Sequence, residues 1–504
     1  LGGLFNWSGG TVGGAGQLTT SSTATTNITG SVLLDTGKVW NNSGQINILA
    51  SGQLALGVGA LSTLNNLLGG TANITTTNPF AIYSPSQPGQ DGLISNSGTI
   101  NINTTYTSFE AAYNSVSSGV LNIAAGNTLS MQNGKTINGT VNIAAGGKLW
   151  VSQRHGSDTL FSGTTIGGSG TLEVFSGINP VARFTNVNAS GVTLKLGSGG
   201  TVYIQNGTST FGALDAAAYG GGLNLNNGTL ALATGNLITP AGANYSGNVG
   251  YWAKGGDVIV NNSINAYGGG ISLEASGDVQ VLGSVSGSTI KLKGTNVLIG
   301  DSAASSAASV SASSLLDILA SGALKIKGGS SANASALASS SGALTVSASG
   351  DVILAGGAGT NAWARLSGNP DVMLSRVGGA IYMDAGSGTG SYAAIESVSP
   401  TTIYATFPNL TTGGYFVNGV EGTVYDAASG TGFIAGGSPA VLGSSLKVTY
   451  GGGGVVFGGA ALEVPTQTLI VALGESTEPP EAEKDKDVFK ETEDDKKKDA
   501  PVCK

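Results

Sequence analysis

The chain has 504 residues, of which 84 are glycine, 10% are charged and 40% are hydrophobic, and its formal net charge is −8. Glycine lies well above, and charge far below, the usual shares of about 7% and about 25%. The sequence has no basic stripe for nucleic acid and no apolar run long enough for a membrane helix. Its single cysteine excludes a disulfide framework and a cysteine-based zinc site.

Two nearly identical phrases lie 20 residues apart, LNIAAGNTL at 121–129 and VNIAAGGKL at 141–149. In each phrase an apolar residue, an asparagine and a second apolar residue alternate before a turn of small residues. This alternation with a period of two indicates a strand. A repeat of about 20 residues built from strands and glycine corners is typical of a solenoid, whose coils bury their core only by stacking.

Related phrases recur along the chain and extend this pattern. A Ser-Gly-x-Ile-Asn-Ile form begins at Ser43 and Ser97, and a Gly-Asp-Val form begins at Gly256, Gly277 and Gly350. The sequence therefore predicts an all-β fold, a parallel β-helix with about 20 residues per coil. Residues 57–92 are irregular and contain several prolines, which cannot donate to a sheet ladder. We expect them to form a loop that bulges from the stack.

Changes in composition divide the chain into four predicted parts. We place a first β-helix part at 1–235 and a second at 236–400, because residues 233–250 separate two styles of phrase. An aromatic-rich terminal β cap is expected at 401–473, since open strand edges otherwise pair with other chains. Residues 474–504 are predicted to be a disordered charged tail, because their acidic and basic residues leave little apolar surface to bury.

Few residues are candidates for catalysis or metal binding. His155 is the only histidine, and its polar surroundings at 153–158 favour a surface turn over a Ser/His/Asp site. Asp257 and Asp278 lie one coil apart, and starting a strand from a Gly-Asp turn is favoured over binding calcium. The sequence predicts no catalytic, cofactor-binding or metal-binding residue.

Asparagine suggests two other roles. Many Asn-x-Ser/Thr sequons are present, either as glycan acceptors or by chance in a chain rich in these residue types. Asn122 should lie over Asn142 in an amide ladder between coils. The candidate glycan acceptors are Asn27, Asn73, Asn138, Asn206 and Asn227.

The two ends of the chain carry further expectations. Cys503 lies next to the last residue, after a charged spacer, and is a candidate covalent anchor or intersubunit link. The alternative is a free thiol on a disordered end. The chain begins at Leu1 without a recognisable signal peptide, so we expect a processed or truncated product.

The Asn-Ser-Gly-x-Ile-Asn-Ile and Gly-Asp-Val-x-Val coils resemble the passenger repeats of bacterial two-partner-secreted exoproteins of the filamentous-haemagglutinin type. The GGYFVNG segment at 413–419 and the tail ending in PVCK resemble the C-terminal end of such proteins. The resemblance implies a right-handed β-helix exported through an outer-membrane secretion pore to the surface of a Gram-negative bacterium. The family's N-terminal Asn-Pro-Asn signature, and the paired C-terminal cysteines through which some members are anchored, are not found in this sequence.

Together these patterns predict a secreted structural protein of the cell surface, an adhesin or a fibre- or matrix-forming subunit of a biofilm. Expected partners are other copies of the chain, through stacking of coils, and host or neighbouring-cell surfaces or glycans, but not nucleic acid. The alternative is a β-helical polysaccharide-degrading enzyme, which would need a groove lined with charged residues.

Overall fold

The computed structural model describes residues 1–407 except 59, 86–91, 153–157, 176–179, 217–221, 370–371 and 398–402, with side chains through residue 395. Beyond 407 it describes only the backbone of strands, up to residue 456. Residues 1–467 form one compact unit, and 468–504 form a second unit outside the described residues. Within the described part all regular secondary structure is β, and no helix could span a membrane.

Short strands separated by tight corners make up the first half of the chain. In chain order they are β1 (Leu4–Trp7), β2 (Gly10–Val12), β3 (Gly16–Thr20), β4 (Thr25–Ile28), β5 (Ser31–Leu34), β6 (Lys38–Asn42), β7 (Gln45–Ile48), β8 (Gln53–Leu56), β9 (Ser62–Asn66), β10 (Thr71–Ile74), β11 (Phe80–Tyr83), β12 (Gly92–Asn96), β13 (Thr99–Ile102), β14 (Tyr106–Phe109), β15 (Ala112–Ser115), β16 (Val120–Ile123), β17 (Thr128–Met131), β18 (Gly134–Ile137), β19 (Thr140–Ile143), β20 (Lys148–Val151), β21 (Thr159–Ser162), β22 (Thr165–Gly168), β23 (Thr171–Val174), β24 (Val181–Thr185), β25 (Asn188–Leu196), β26 (Thr201–Asp215) and β27 (Gly222–Leu232).

The second half continues with the same kind of strand. These strands are β28 (Leu237–Ile238), β29 (Asn244–Ser246), β30 (Val249–Ala253), β31 (Val258–Val260), β32 (Ser263–Asn265), β33 (Ile271–Ala275), β34 (Val279–Val281), β35 (Ser284–Gly294), β36 (Val297–Ile299), β37 (Ala308–Ala320), β38 (Leu324–Lys327), β39 (Ala336–Ser340), β40 (Ala343–Ala348), β41 (Val352–Ala355), β42 (Ala364–Gly368), β43 (Val372–Val377), β44 (Ile381–Asp384), β45 (Ala393–Ser397), β46 (Ile403–Phe407), β47 (Tyr415–Val417), β48 (Val420–Glu421), β49 (Tyr425–Ala427), β50 (Gly430–Ala435), β51 (Leu446–Tyr450) and β52 (Gly453–Val456).

Through β24 each coil supplies one strand to each of three faces, and the strands of a face stack in parallel. Later strands such as β26 bend through more than one face. The first face begins β1, β4, β7 and β10, the second begins β2, β5 and β8, and the third begins β3, β6 and β9. Hydrogen bonds therefore run from coil to coil along the stack. The fold is a parallel β-solenoid, which confirms the fold class predicted from the sequence.

The length of a coil varies although the strands stay in register. Asn27 and Asn47 lie 20 residues apart, as do Asn122 and Asn142, but Asn73 and Asn101 are 28 apart. The extra residues lie in the corners, where a longer connection leaves the strand pairing unchanged.

Residues 57–92 are the clearest departure from the sequence-based expectation. They do not form one bulging loop, because β9, β10 and β11 fall within them and continue the three faces. Pro79 immediately precedes β11, where its missing N–H removes no ladder hydrogen bond. Its carbonyl instead accepts a hydrogen bond from the Ser108 amide at 2.8 Å.

Alternation along the strands places branched aliphatic side chains inside the coil. In β7, Ile46 and Ile48 are buried while Gln45 and Asn47 face outward, and β13 and β16 repeat this order. Because a single coil is only one side chain thick, burial depends on the coils above and below. The core is thus one continuous stack of apolar side chains, mostly aliphatic, with buried aromatics such as Trp40, Phe161 and Phe184.

The change of phrase near residue 235 coincides with a break in the second face, and the third face is interrupted shortly afterwards, because β29 pairs back to β27 whereas β32 pairs on to β35. The second face restarts at β28, which begins a separate sheet that runs through β31, β34 and β36 to β48. The first face continues across this point from β27 to β30 and β33. Both predicted β-helix parts accordingly belong to the same compact unit.

Parallel pairing gives way to antiparallel pairing toward the end of the described chain. β47 pairs with β48, β49 with β50, and β51 with β52, each in antiparallel orientation. These strands lie within the segment predicted as a terminal cap, and its capping role stays a prediction. The predicted disordered tail at 474–504 lies outside the described residues.

Candidate functional site

The most regular chemical feature of the described surface is a row of asparagines on the first face. Each Nδ2 donates to the Oδ1 of the asparagine one coil earlier, at 2.8–3.0 Å. We call this row the outer amide ladder. It consists of Asn6, Asn27, Asn47, Asn73, Asn101, Asn122 and Asn142.

The ladder forms because the register places identical residues directly over one another. Asn101 pairs with Asn122 and Asn122 pairs with Asn142 in the parallel strands. The predicted stacking of Asn122 over Asn142 is therefore confirmed, with a 2.8 Å hydrogen bond between them. The ladder ends at β22, where Gly167 takes the place of asparagine.

A second row of polar residues runs beside the outer amide ladder, two positions earlier in each strand. Most of its members are threonines that are half-buried or exposed and point to the same side as the asparagines. We call it the hydroxyl column, although it includes one glutamine and one valine. Its members are Thr25, Gln45, Thr71, Thr99, Val120, Thr140 and Thr165.

An inner amide ladder lies inside the coil, at the end of the third-face strands. Asn42 donates to Asn66 at 2.9 Å, and Asn66 donates to Asn96 at 2.9 Å. The Thr20 hydroxyl donates to Asn42 at 2.7 Å, and Asn96 donates to the Tyr113 hydroxyl at 3.3 Å. All five are buried, so each amide satisfies inside the protein the hydrogen bonds it loses from water.

Sequence reasoning missed this inner ladder, because the amide ladder it predicted was that of Asn122 over Asn142. A signal was present, since Asn42 and Asn96 each precede a Ser-Gly corner. At such a corner the Nδ2 of Asn42 also donates to the Gly44 carbonyl at 3.1 Å. The amide therefore serves the turn as well as the ladder.

The five candidate glycan acceptors occupy two different environments. Asn27 and Asn73 belong to the outer amide ladder, and their Nδ2 atoms donate to Asn6 and Asn47. Because a glycan would be attached at the same nitrogen, modification would compete with these hydrogen bonds.

Asn138, Asn206 and Asn227 are exposed instead. Asn206 and Asn227 have φ angles of 50° and 48°, a left-handed conformation that asparagine tolerates in turns. The Asn227 Oδ1 accepts the Asn248 amide at 3.0 Å, and the Asn227 Nδ2 donates to the Asn226 Oδ1 at 3.5 Å. The side chains of these three corner asparagines are more exposed than those of the two in the ladder.

Asp257 and Asp278 form a third kind of ladder, at the corners that precede β31 and β34. The Asp257 Oδ1 accepts a hydrogen bond from the backbone amide of Asp278 at 2.8 Å. The Asp278 Oδ1 accepts from the backbone N–H and from the side-chain Nδ2 of Asn296, each at 2.9 Å. The interpretation as strand-starting turns is thus confirmed. Among the described residues, no group of three or more His, Cys, Asp or Glu side chains could hold a metal ion.

Some charged side chains on the coil surface form ion pairs between neighbouring coils. Lys195 lies 3.0 Å from Glu173, and Lys291 lies 3.0 Å from Glu274. Partial burial raises the pKa of Glu274, but hydrogen bonds from Lys291 and Ser272 and the charges of Lys291 and Lys293 outweigh it, so this pKa lies below its usual value. A carboxylate that faces an ammonium group differs from the paired carboxylates of glycoside hydrolases.

A cavity of about 250 Å³ lies between neighbouring coils, beside the ion pair of Lys291 and Glu274. Lys293 is the one charged side chain in its lining, alongside Ser276, Thr295 and Ser321. Its lining therefore offers hydroxyl groups and an ammonium group but no carboxylate for general acid–base chemistry.

The two remaining sequence candidates, His155 and Cys503, lie outside the described residues. No protein-family model, no curated protein and no solved structure matches this chain. A function must accordingly be argued from the residues and the fold themselves.

Proposed function

We propose that this chain is a structural protein of the bacterial cell surface, exported and used as an adhesin or as a subunit of fibres or matrix. The observation that carries the proposal is the uninterrupted parallel ladder of the first face from β1 through β46. Such a stack provides length and a repeated surface rather than a single reactive centre.

The chemistry of the described surface supports the same function. Its regular features are neutral amide and hydroxyl rows, and its carboxylates in Glu173 and Glu274 face lysines. Repeated neutral groups suit many weak contacts with other surfaces, whose strengths combine by multivalency.

Growth end to end is the assembly mode that we propose for fibres. In the described chain β1, β2 and β3 pair with other strands on one side only. An exposed strand edge pairs readily with another coil, and a head-to-tail contact that does not close makes a filament.

Immunogold labelling of intact cells tests the location on which this function depends. Antibodies raised against residues 1–395 should label the outside of unpermeabilised cells. Label that is seen only after permeabilisation would refute the proposal. Release of reducing ends from a polysaccharide by the purified protein would favour the alternative, a β-helical polysaccharide-degrading enzyme.

A further inference from the structure

The outer amide ladder and the hydroxyl column together form one flat strip on the first face, which we call the outer amide face. It runs from β4 to β19, with a threonine, glutamine or valine and an asparagine in every strand. Neither row contains a charged side chain between residues 25 and 142.

The asparagines of this face keep unused hydrogen-bonding capacity. A primary amide has two N–H donors and an oxygen with two lone pairs. An interior member of the ladder such as Asn101 donates once to Asn73 and accepts once from Asn122. Such a rung retains one N–H and one lone pair for a partner that approaches from outside, whereas Asn47 retains only the N–H because its Oδ1 also accepts the Gln45 side-chain amide at 3.0 Å.

The geometry of the face is that of one sheet of a steric zipper. In a steric zipper, parallel in-register strands stack identical side chains in columns, and two such sheets pack face to face. Here the coils of a single chain create the same columns, with Asn47, Asn73 and Asn101 in register. The described chain supplies one of these two sheets but not the second sheet that would pack against it.

Period and charge decide which partner fits. The rungs repeat every ~4.8 Å, whereas residues along an extended peptide repeat every ~3.3 Å and fall out of step. Nucleic acid requires positive charge, which this face lacks. A second copy of the same face has the identical period, and its amide groups are complementary to themselves because each both donates and accepts.

We propose that the outer amide face is a lateral contact between two copies of this chain. Two faces pack against each other across a two-fold axis, so that the same surface serves on both partners. The side chains of each asparagine and threonine column lie between those of the other copy. This contact is separate from the end-to-end growth of the stack and would join fibres side by side.

The size of the face makes this contact weak for isolated molecules. Six strands, each occupying ~4.8 Å along the stack, and a width of two side-chain columns give an area on the order of 350 Å² for each partner. A stable interface buries about 800 Å² for each partner. Pairing should therefore be detected at high protein concentration and be reinforced where many copies lie along one fibre.

Three lysines placed on the face provide the test. The triple variant Thr25→Lys, Thr99→Lys and Thr140→Lys keeps the outer amide ladder but puts three like charges on each contact surface. The matched control, Thr63→Lys, Thr136→Lys and Thr185→Lys, adds the same charge at half-buried outward positions of the third face. Circular dichroism and thermal unfolding establish that both variants are folded.

Sedimentation equilibrium over increasing concentration gives the readout. The average mass of the wild-type protein and of the control should rise with concentration to about twice that of the face variant, which retains only the end-to-end contact. High salt should restore part of its association by screening the added charges. Equal association of both variants would overturn the proposal, and so would a wild-type protein that stays monomeric, even if it binds a neutral glycan.

Cross-linking tests independently which face of the protein makes the contact. Thr99→Cys, in a Cys503→Ser background, should form a disulfide-linked dimer under a mild copper oxidant, which accepts the two electrons from the two thiols. Thr63→Cys on the third face should remain monomeric under the same conditions. Equal dimer yields from the two variants would refute a specific lateral contact.

Discussion

Asparagine has two distinct roles in this solenoid, and burial separates them. The asparagines of the inner ladder are fully buried, whereas those of the outer ladder are half-exposed. An unpaired polar group inside a protein loses its hydrogen bonds to water, but one at the surface recovers them. The same residue type should therefore contribute very differently to stability at the two places.

Replacing a buried ladder asparagine should destabilise the fold strongly. Asn96→Ala removes the acceptor of the Asn66 amide and the donor to the Tyr113 hydroxyl. We expect a loss of about 2–4 kcal/mol in the free energy of unfolding, measured by urea denaturation. The matched change Asn101→Ala in the outer ladder should lower it by about 1 kcal/mol, because water replaces the lost partners. Equal losses would contradict the distinction between the two ladders.

Alkaline pH should weaken the fold through buried tyrosines. Burial raises the pKa of Tyr113 from 10.0 to about 12, although hydrogen bonds with Asn96 and Ser115 partly oppose this. Burial also raises the pKa of Tyr251. A phenol whose pKa is raised in the folded state makes its full contribution to the free energy of unfolding below pH 10. It loses that contribution as the pH rises toward 12.

The urea midpoint should therefore fall between pH 10 and 12, and it should fall less steeply for Tyr113→Phe. Tyr267→Phe is the matched control, because Tyr267 is 85% exposed. It should follow the wild-type curve. If the urea midpoint of Tyr113→Phe fell as steeply with pH as that of the wild-type protein, the Tyr113 phenol would not ionise in the unfolding transition.

Any glycans on the native protein should be attached to the exposed asparagines at corners and not to those in the outer amide ladder. Peptide mapping by mass spectrometry should find sugar on Asn138, Asn206 and Asn227 but not on Asn27 and Asn73. The two ladder residues use the acceptor nitrogen for hydrogen bonds of 3.0 Å to neighbouring coils. Sugar confined to Asn27 and Asn73 would contradict this order.

At the scale of the strand and its corner, close contact between coils explains why small residues are required. A Cβ atom at Gly98 would overlap the backbone carbonyl oxygens of Gly70 and Leu67 in the preceding coil. Gly126 has a φ of 73° but nothing within 4 Å of such an atom. The first glycine is thus required by packing and the second by backbone conformation.

Gly98→Ala should consequently destabilise the protein more than Gly126→Ala. We expect a loss of 2 kcal/mol or more at Gly98, because the coils must move apart, against about 1 kcal/mol at Gly126 from backbone strain alone. Differential scanning calorimetry on both variants measures the difference. A larger effect at Gly126 would show that the coils are not in close contact at Gly98.

Strand patterns were predictable from the sequence at this scale, whereas corners were not. Ile46, Asn47 and Ile48 alternate inside and outside as the phrase predicts. The prolines at 57–92 were misleading, because they fall before or between strands and leave the ladder intact. The buried Asn66 was not predicted either, since a period of two cannot distinguish a polar residue inside the coil from one outside.

At the scale of the whole molecule, the repeat alone was sufficient to predict the solenoid. Each coil is one supersecondary unit that buries its apolar side only against its neighbours, so repetition at about 20 residues implies stacking. Repetition does not specify a partner. Export, adhesion and the role of Cys503 accordingly stay proposals, because nothing in a stacking pattern encodes a receptor.

Electron cryomicroscopy of native surface material tests the central claim most directly, that this chain is a stacked structural element of the cell surface. We predict fibres that are labelled by antibodies to residues 1–395 and that give a strong axial reflection near 4.8 Å, because the coils stack without interruption across the junctions between subunits. Labelled material without an axial spacing near 4.8 Å would contradict the account.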